Sequence, residues 1–550
     1  MAEWETLAAD KRARLEKTIP AEWKIPSVPE SDSSYLDIPA TSGVLSETEL
    51  QITGSSATEL VAKLASGELK SVDVTLAFCK RAAIAHQLVN CALEFFPEKA
   101  LAQARELDAY FEKHKKPIGP LHGLPISLKD QFRIRGLETS MGYISWLNKY
   151  ETEESESVMI TLLRKAGAVF YVKTSVPQTL MASETFNNII GRTVNPRNKN
   201  WSCGGSSGGE GAIVGIRGGI IGVGTDIGGS IRVPSAFNFL YGIRPSHGRM
   251  PYAKIANSME GQETVHSVTG PLAHSAADIR LFLTSVLSQE PWKYDSKVIP
   301  LEWRPHEENI IKTKLASGGL TLGFYNCDGV VLPHPPILRG METVVSTLKA
   351  NGHHIVEWTP YKHQYASDLT YAIYTSDGGA DVYRDISASG EPIIRNIKDL
   401  LDPDVKAINM GELWDTHLKK WQYQSEYLDK WREMEEKLGK ELDAIIAPIT
   451  PTAAIRHDRF RYFGYATVVN LLDFTSVVVP VTFADKKVDV KDEKYVPMND
   501  TDKLVQAEYD ADAYHGAPIA VQIIGRRLSE ERTLAIAEEV GRLLGNAITP

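Results

Sequence analysis

Three serines stand in one glycine-rich run at residues 200–251, NWSCGGSSGGEGAIVGIRGGIIGVGTDIGGSIRVPSAFNFLYGIRPSHGRMP: Ser206, Ser207 and Ser230. Glycine lets a backbone take positive φ and lets its N–H groups approach a ligand closely. A hydroxyl on such a turn, with free N–H donors beside it, is how a chain builds an acyl-transfer site. Ser230 closes Thr225-Asp226-Ile227-Gly228-Gly229-Ser230, a strand-to-helix turn whose two glycines can aim several N–H groups at one point. Serine is a weak nucleophile without a base, and this turn contains no histidine. The base must therefore come from elsewhere. Lys129 ends the apolar segment Leu124-Pro125-Ile126-Ser127-Leu128-Lys129, an unusual place for a lysine. Burial there disfavours the ammonium form and brings its pKa towards neutrality. Asp130 follows directly, and strand alternation turns it to the opposite face. Spacing alone leaves Lys129 open between a salt-bridged residue and a base.

Other chemistries compete for the same run. Phosphate cradling requires G-x-x-x-x-G-K-[ST] or a dinucleotide fingerprint, and Gly222-Val223-Gly224 completes neither. Gly205-Ser206-Ser207-Gly208-Gly209 formally matches the G-x-S-x-G elbow of α/β-hydrolases, which would make Ser207 the nucleophile. His515, preceded by Asp473 or Asp512, could then complete a triad. That elbow belongs between a buried strand and a helix, and residues 197–203 do not read as such a strand. Cys203 as a thiolate nucleophile is weaker still, because a lone cysteine without a paired histidine reads as a small packing residue.

The elements that must position these residues alternate. Ser56-Ala57-Thr58-Glu59 reads as a capping box, with helices over 57–66, 72–86 and 97–114. Residues 124–129 read as a strand, 156–166 as a helix, Gly167 as its stop, and 168–173 as a strand. Residues 220–223, 354–358, 443–447, 476–479 and 519–524 are further apolar β-type runs beside helical patterns. Continuous Val/Ile runs alternating with helices predict an α/β fold, a large α/β/α sandwich whose mixed, mostly parallel central sheet is covered by helices. Residues 1–55 read as a helical and extended arm, residues 56–550 as the catalytic domain. Residues 409–440 read as one long helix whose Trp414, Trp421 and Trp431 form a packing stripe. Residues 485–512 are highly charged and read as a surface loop.

Composition narrows the class. The 550 residues carry 43% hydrophobic and 24% charged side chains, ordinary for a globular protein. A net charge of −10 and the lack of a basic stripe argue against nucleic acid. Cys79, Cys91, Cys203 and Cys327 lack zinc or CxxC spacing, which fits a reducing, cytoplasmic setting without disulfides. No apolar run has the length of a membrane span. The charged first residues read as neither signal nor transit peptide.

The segments GGSSGGEGA, GVGTDIGGSIRVPSAF and the upstream LHGLPISLKD closely resemble the motifs of the amidase-signature hydrolases, nearest to fungal acetamidases and general amidases. The resemblance continues through YGIRPSHGRMP, VTGPLAHSAAD, LDAIIAPITPTAA and HGAPIAVQIIGRRL, and so covers roughly residues 57–545. It implies Ser230 as the acyl-enzyme nucleophile, Ser206 as a bridging serine held by a cis peptide, and Lys129 as the base. It further implies an oxyanion hole from the N–H groups of Ile227, Gly228, Gly229 and Ser230, with Ser207 and Thr225 in support. Leu180 and Met141-Gly142 fall where this family lines its acyl pocket. The implied activity is hydrolysis of a small-molecule carboxamide to carboxylate and ammonia, with no metal or cofactor. Acetamide-like aliphatic amides lead as substrates, with aryl amides and indole acetamide as rivals. A homodimer is the family-level expectation.

Overall fold

A computed structural model describes residues 2–28, 34–398, 400–402 and 404–545. Its centre is one sheet of eleven strands with helices around it. Pro125–Lys129, Val169–Thr174 and Ile221–Asp226 are buried along their whole length and form one parallel group. Thr321–Phe324, His354–Glu357 and Ala444–Ala447 form another towards the opposite edge. Between the groups lie antiparallel strands, including Thr475–Phe483 and Pro518–Gly525.

The sheet is mixed, but six of its ten pairings are antiparallel, so the expected parallel majority is corrected. Continuous apolar runs report burial on both faces, and antiparallel strands under helices satisfy that equally well. Residues 198–202 form a short, partly exposed strand in a small hairpin with Val194–Asn195, with Trp201 also bridging Arg456, and not the buried strand that an α/β-hydrolase elbow requires.

Local signals placed the helices well. Ser56 and Glu59 close a reciprocal capping box on Ala57–Ser66, and Gly67 ends that helix at φ +77°. Helix Pro97–His114 lies where periodicity puts it. Met410–Leu438 is one long helix capped by Asn409. Only Trp431 of its three tryptophans packs, against Trp358 and Phe474. Trp414 and Trp421 are 64% and 66% exposed, because Tyr423, Tyr427 and Trp431 define the inward face. Residues 485–512 are not one loop: Asp500–Glu508 and Ala511–Tyr514 are helices, the first capped by Asn499 and anchored by buried Val505. Helix Glu3–Lys17 docks on the body through Lys11 with Glu94 and Glu138, and through Arg14 with Glu138. Of the extended stretch read after it, residues 29–33 lie outside the described residues. Among the described residues, no helix is long and apolar enough to cross a membrane.

Two glycines bring the chemistry together. A Cβ on Gly222 would stand 2.2 Å from Glu210 Oε2, and one on Gly224 would stand 2.7 Å from Ser207 Oγ. The bare strand face therefore lets helix Gly208–Gly215, which starts just after Ser207, lie close against Ile221–Asp226. Parallel pairing of Pro125–Lys129 with Ile221–Asp226 then sets Lys129 beside the turn that follows Asp226. The C-terminal edge of a parallel strand pair is where open α/β sheets carry their sites.

Candidate active site

Lys129 is 1% exposed at the end of its strand. Its Nζ lies 2.8 Å from Ser206 Oγ and 2.7 Å from Thr225 Oγ1. Burial lowers its pKa to about 7, against the opposing pull of Asp226 and Glu210. Glu210 is itself buried, which pushes its carboxyl up to about 8, and it sits between the Ser127 and Thr174 hydroxyls at 2.5 and 2.6 Å. Asp130 faces away, as strand alternation predicts. Its carboxylate accepts from Ser140 and from the Met141 N–H, and pairs with Lys173 at 3.3 Å.

Ser206 and Ser207 follow Gly205 directly, and the Gly205–Ser206 peptide is cis, as the resemblance implies. Ser206 is 2% exposed and turns its hydroxyl to Lys129. Ser207 is fully buried. Its Oγ lies 3.3 Å from both the N and the O of Thr225, and its N–H donates to the Ser230 carbonyl at 3.1 Å. Ser207 thus ties the Ser206 loop to the Ser230 turn. Ser230 is the most open of the three at 8%, and among the described residues its hydroxyl makes no hydrogen bond. The structure brings Lys129 to Ser206, but among the described residues no direct bond joins the Ser206 and Ser230 hydroxyls.

The turn before Ser230 is shaped by a buried clamp that sequence reading missed. Burial alone would raise the Asp226 carboxyl; the Arg232 guanidinium and Asn470 hold it well below the usual carboxylate range. Asp226 accepts from the Gly229 N–H at 2.8 Å, the Ile231 N–H at 3.1 Å and Arg232 Nε at 3.1 Å, while Asn470 Nδ2 adds 2.8 Å. Gly229 takes φ +115°, where an added Cβ would also meet Ala466 at 2.8 Å, so only glycine suits this corner. The Gly229 N–H, one of the four donors that the resemblance implies, is thus engaged by Asp226. Among the described residues, the N–H groups of Ile227, Gly228 and Ser230 make no internal bond. The Tyr374 hydroxyl donates to the Ile227 carbonyl at 2.5 Å. Carbonyl and N–H point oppositely across a trans peptide, so this bond holds the Gly228 N–H turned away from Tyr374.

Leu180 is buried and takes φ +66°. Gly142 packs so closely on Pro177 and Gln178 that a Cβ would stand 2.7 Å from the Pro177 oxygen, so Met141-Gly142 and the segment carrying Leu180 are neighbours. The α/β-hydrolase arrangement does not form. Around His515 lie Asp485 and Lys486, around Asp512 lies Lys486, and around Asp473 lie Arg244, Arg527 and the His247 N–H; Ser207 contacts none of them. Burial pushes the Cys203 thiol up to about 12, so it is no thiolate at neutral pH. Gln131 and Tyr374 went unread in the sequence. Gln131 carried one weak signal, its place two residues after Lys129; Tyr374 carried none.

The family model of the amidases matches residues 73–534. The chain belongs to the amidase family. This amidase is a hydrolase acting on amide C–N bonds. It is 74% identical over 547 residues to an acetamidase of Emericella nidulans, covering 100% of this chain and 99% of that protein. It is 69% identical over 545 residues to an acetamidase of Aspergillus oryzae, with 99% of each chain covered. Among solved structures, a fatty acid amide hydrolase matches it at TM-score 0.91 and 35% identity, over 99% of this amidase and 95% of that chain.

Proposed function

We propose that this amidase hydrolyses small aliphatic amides, acetamide above all, through an acyl-enzyme on Ser230. The observation that carries the reading is the buried contact of Lys129 Nζ with Ser206 Oγ at 2.8 Å, by a lysine whose pKa lies near 7. Two relatives named acetamidases, at 74% and 69% identity, support the substrate class. In this reading residues 56–550 form the catalytic unit, and the arm at 1–55 stays outside the chemistry.

The steps follow from the geometry. Substrate turns the Ser230 hydroxyl onto Ser206, a bond of the kind that tightens only in the Michaelis complex. Ser206 gives its proton to neutral Lys129 and takes that of Ser230, while Ser230 Oγ bonds to the amide carbon. The oxyanion is met by the N–H groups of Ile227, Gly228 and Ser230. As the C–N bond breaks, Ser206 delivers its proton to the nitrogen and regains one from Lys129, so ammonia leaves as a neutral molecule. Water then enters by the same relay, its proton passing to Ser206 as its oxygen bonds to the acyl carbon, and Ser230 leaves with a proton. Leu180 and Met141 bound the acyl side of the substrate.

Ammonia release across acetamide, an aryl amide and a long-chain amide tests the substrate class. The highest kcat/KM is expected on acetamide; turnover confined to aryl or long-chain amides would overturn it. Tyr374→Phe tests the oxyanion turn. It keeps every donor but frees the Ile227–Gly228 peptide to rotate, so kcat should fall about three- to tenfold with KM nearly unchanged. Steady-state kinetics on acetamide check this, and a rise in KM alone would contradict it.

A further inference from the structure

The hydrogen bonds behind Lys129 run in one direction. The Ala256 carbonyl can only accept, so the Gln131 side-chain nitrogen, 2.8 Å away, is the group that faces it. The same nitrogen reaches the Tyr252 hydroxyl at 3.1 Å, and the Ala256 N–H donates back to the Gln131 carbonyl at 3.1 Å. Gln131 is therefore clamped by backbone and side chain, and its Oε1 is left facing Thr225 Oγ1 at 2.6 Å. An amide oxygen only accepts, so the single proton of Thr225 lies on that bond. Thr225 Oγ1 can then only accept from Lys129 Nζ at 2.7 Å. A neutral amine has two N–H bonds and one lone pair. With an N–H committed to Thr225, the lone pair cannot be captured there and is left for Ser206 at 2.8 Å. Gln131 and Thr225 are both buried, so bulk water does not substitute for either partner.

We propose that Gln131 is a positioning residue of this site: it draws the Thr225 proton away from Lys129 and so keeps the lysine lone pair available to Ser206. The inference rests on the Ser230–Ser206–Lys129 reading above. It gives Thr225 a direction as well as a contact, and it assigns a purpose to a glutamine that reaches the site through Thr225. Without the Gln131 oxygen, the Thr225 hydroxyl is free to turn its proton onto Lys129 Nζ, and the base is blocked in the very protonation state that should be active.

The test is a double-mutant cycle on the full-length enzyme with acetamide. Gln131→Met keeps the length of the side chain and removes the amide acceptor; Thr225→Val keeps the shape and removes the hydroxyl. Gln131→Met should lower kcat about 10- to 100-fold with KM nearly unchanged. In the Thr225→Val background the same change should cost nothing further, because Gln131 acts only through that hydroxyl. Wild-type kcat in Gln131→Met, or fully multiplicative losses in the double variant, would each overturn the proposal. Thermal melts accompany each variant; if Gln131→Met does not fold, Gln131→Leu takes its place in the same cycle, with the same expected and overturning results. Lys129→Ala separates the two levels. A fully active Lys129→Ala enzyme removes the underlying reading, whereas an inactive one beside a fully active Gln131→Met enzyme removes only the role of Gln131.

Discussion

Ser230→Ala should release no measurable ammonia from acetamide, a loss of at least about 10⁴-fold in kcat. The size follows from what the hydroxyl does. It forms the covalent bond that splits amide hydrolysis into two easier steps, and no neighbouring group can replace it. Ser206 is committed to Lys129 at 2.8 Å, and Ser207 is fully buried with its Oγ held against the Thr225 backbone. The folded state should survive, because the Ser230 hydroxyl makes no internal hydrogen bond among the described residues and deleting one oxygen strands no partner. Mass spectrometry of enzyme quenched during turnover should find an acyl group on the Ser230 peptide of the wild type and none on the variant. Retained turnover, or an acyl group on another serine, would remove Ser230 from its role.

Lys129→Ala should lower kcat/KM by about 10²- to 10⁴-fold, the range that a positioned general base supplies. The pH dependence carries the sign. Lys129 accepts a proton only when neutral, and burial brings its pKa down to about 7 from 10.5. For the wild type, kcat/KM should therefore rise with pH, pass half-maximum near pH 7 and level off above it. Below that point the ammonium form predominates and Ser206 has nowhere to send its proton. Asp226 does not interfere, since it stays ionised throughout this range. The residual activity of Lys129→Ala should lack this acid limb, because its titrating group is gone. A rate-pH profile over pH 5–9 for both enzymes checks the assignment. An unchanged limb in the variant would hand the titration to another residue.

Much of this site could be read along the chain. The GTDIGGSIR turn, the paired serines of GGSSGG and a lysine ending an apolar strand are contiguous signals. Glycine content, side-chain chemistry and strand alternation act over a few residues, so they speak before any tertiary contact exists. The capping box at Ser56 and Glu59 and the turn of Asp130 away from Lys129 are legible for the same reason. Strand order was not legible. Burial leaves one apolar pattern for parallel and antiparallel strands alike, so the pattern could not show that antiparallel pairs outnumber parallel ones. Trp414 and Trp421 read as core, yet the helix turns them outward to bury Tyr423, Tyr427 and Trp431.

Residue types and local spacing were thus enough to point to acyl transfer at the Ser230 turn and to raise Lys129 as a candidate base, while the relay role of Ser206 came from the resemblance to the amidase-signature hydrolases. The working state of these residues belongs to the folded chain. Burial between neighbouring strands brings Lys129 near neutrality, Asn470 joins Arg232 in holding Asp226 while Asp226 engages the Gly229 N–H, and Tyr374 and Gln131 orient a peptide and a proton. Desolvation and hydrogen-bond direction arise from groups far apart in the chain, and no local pattern encodes which of them will meet.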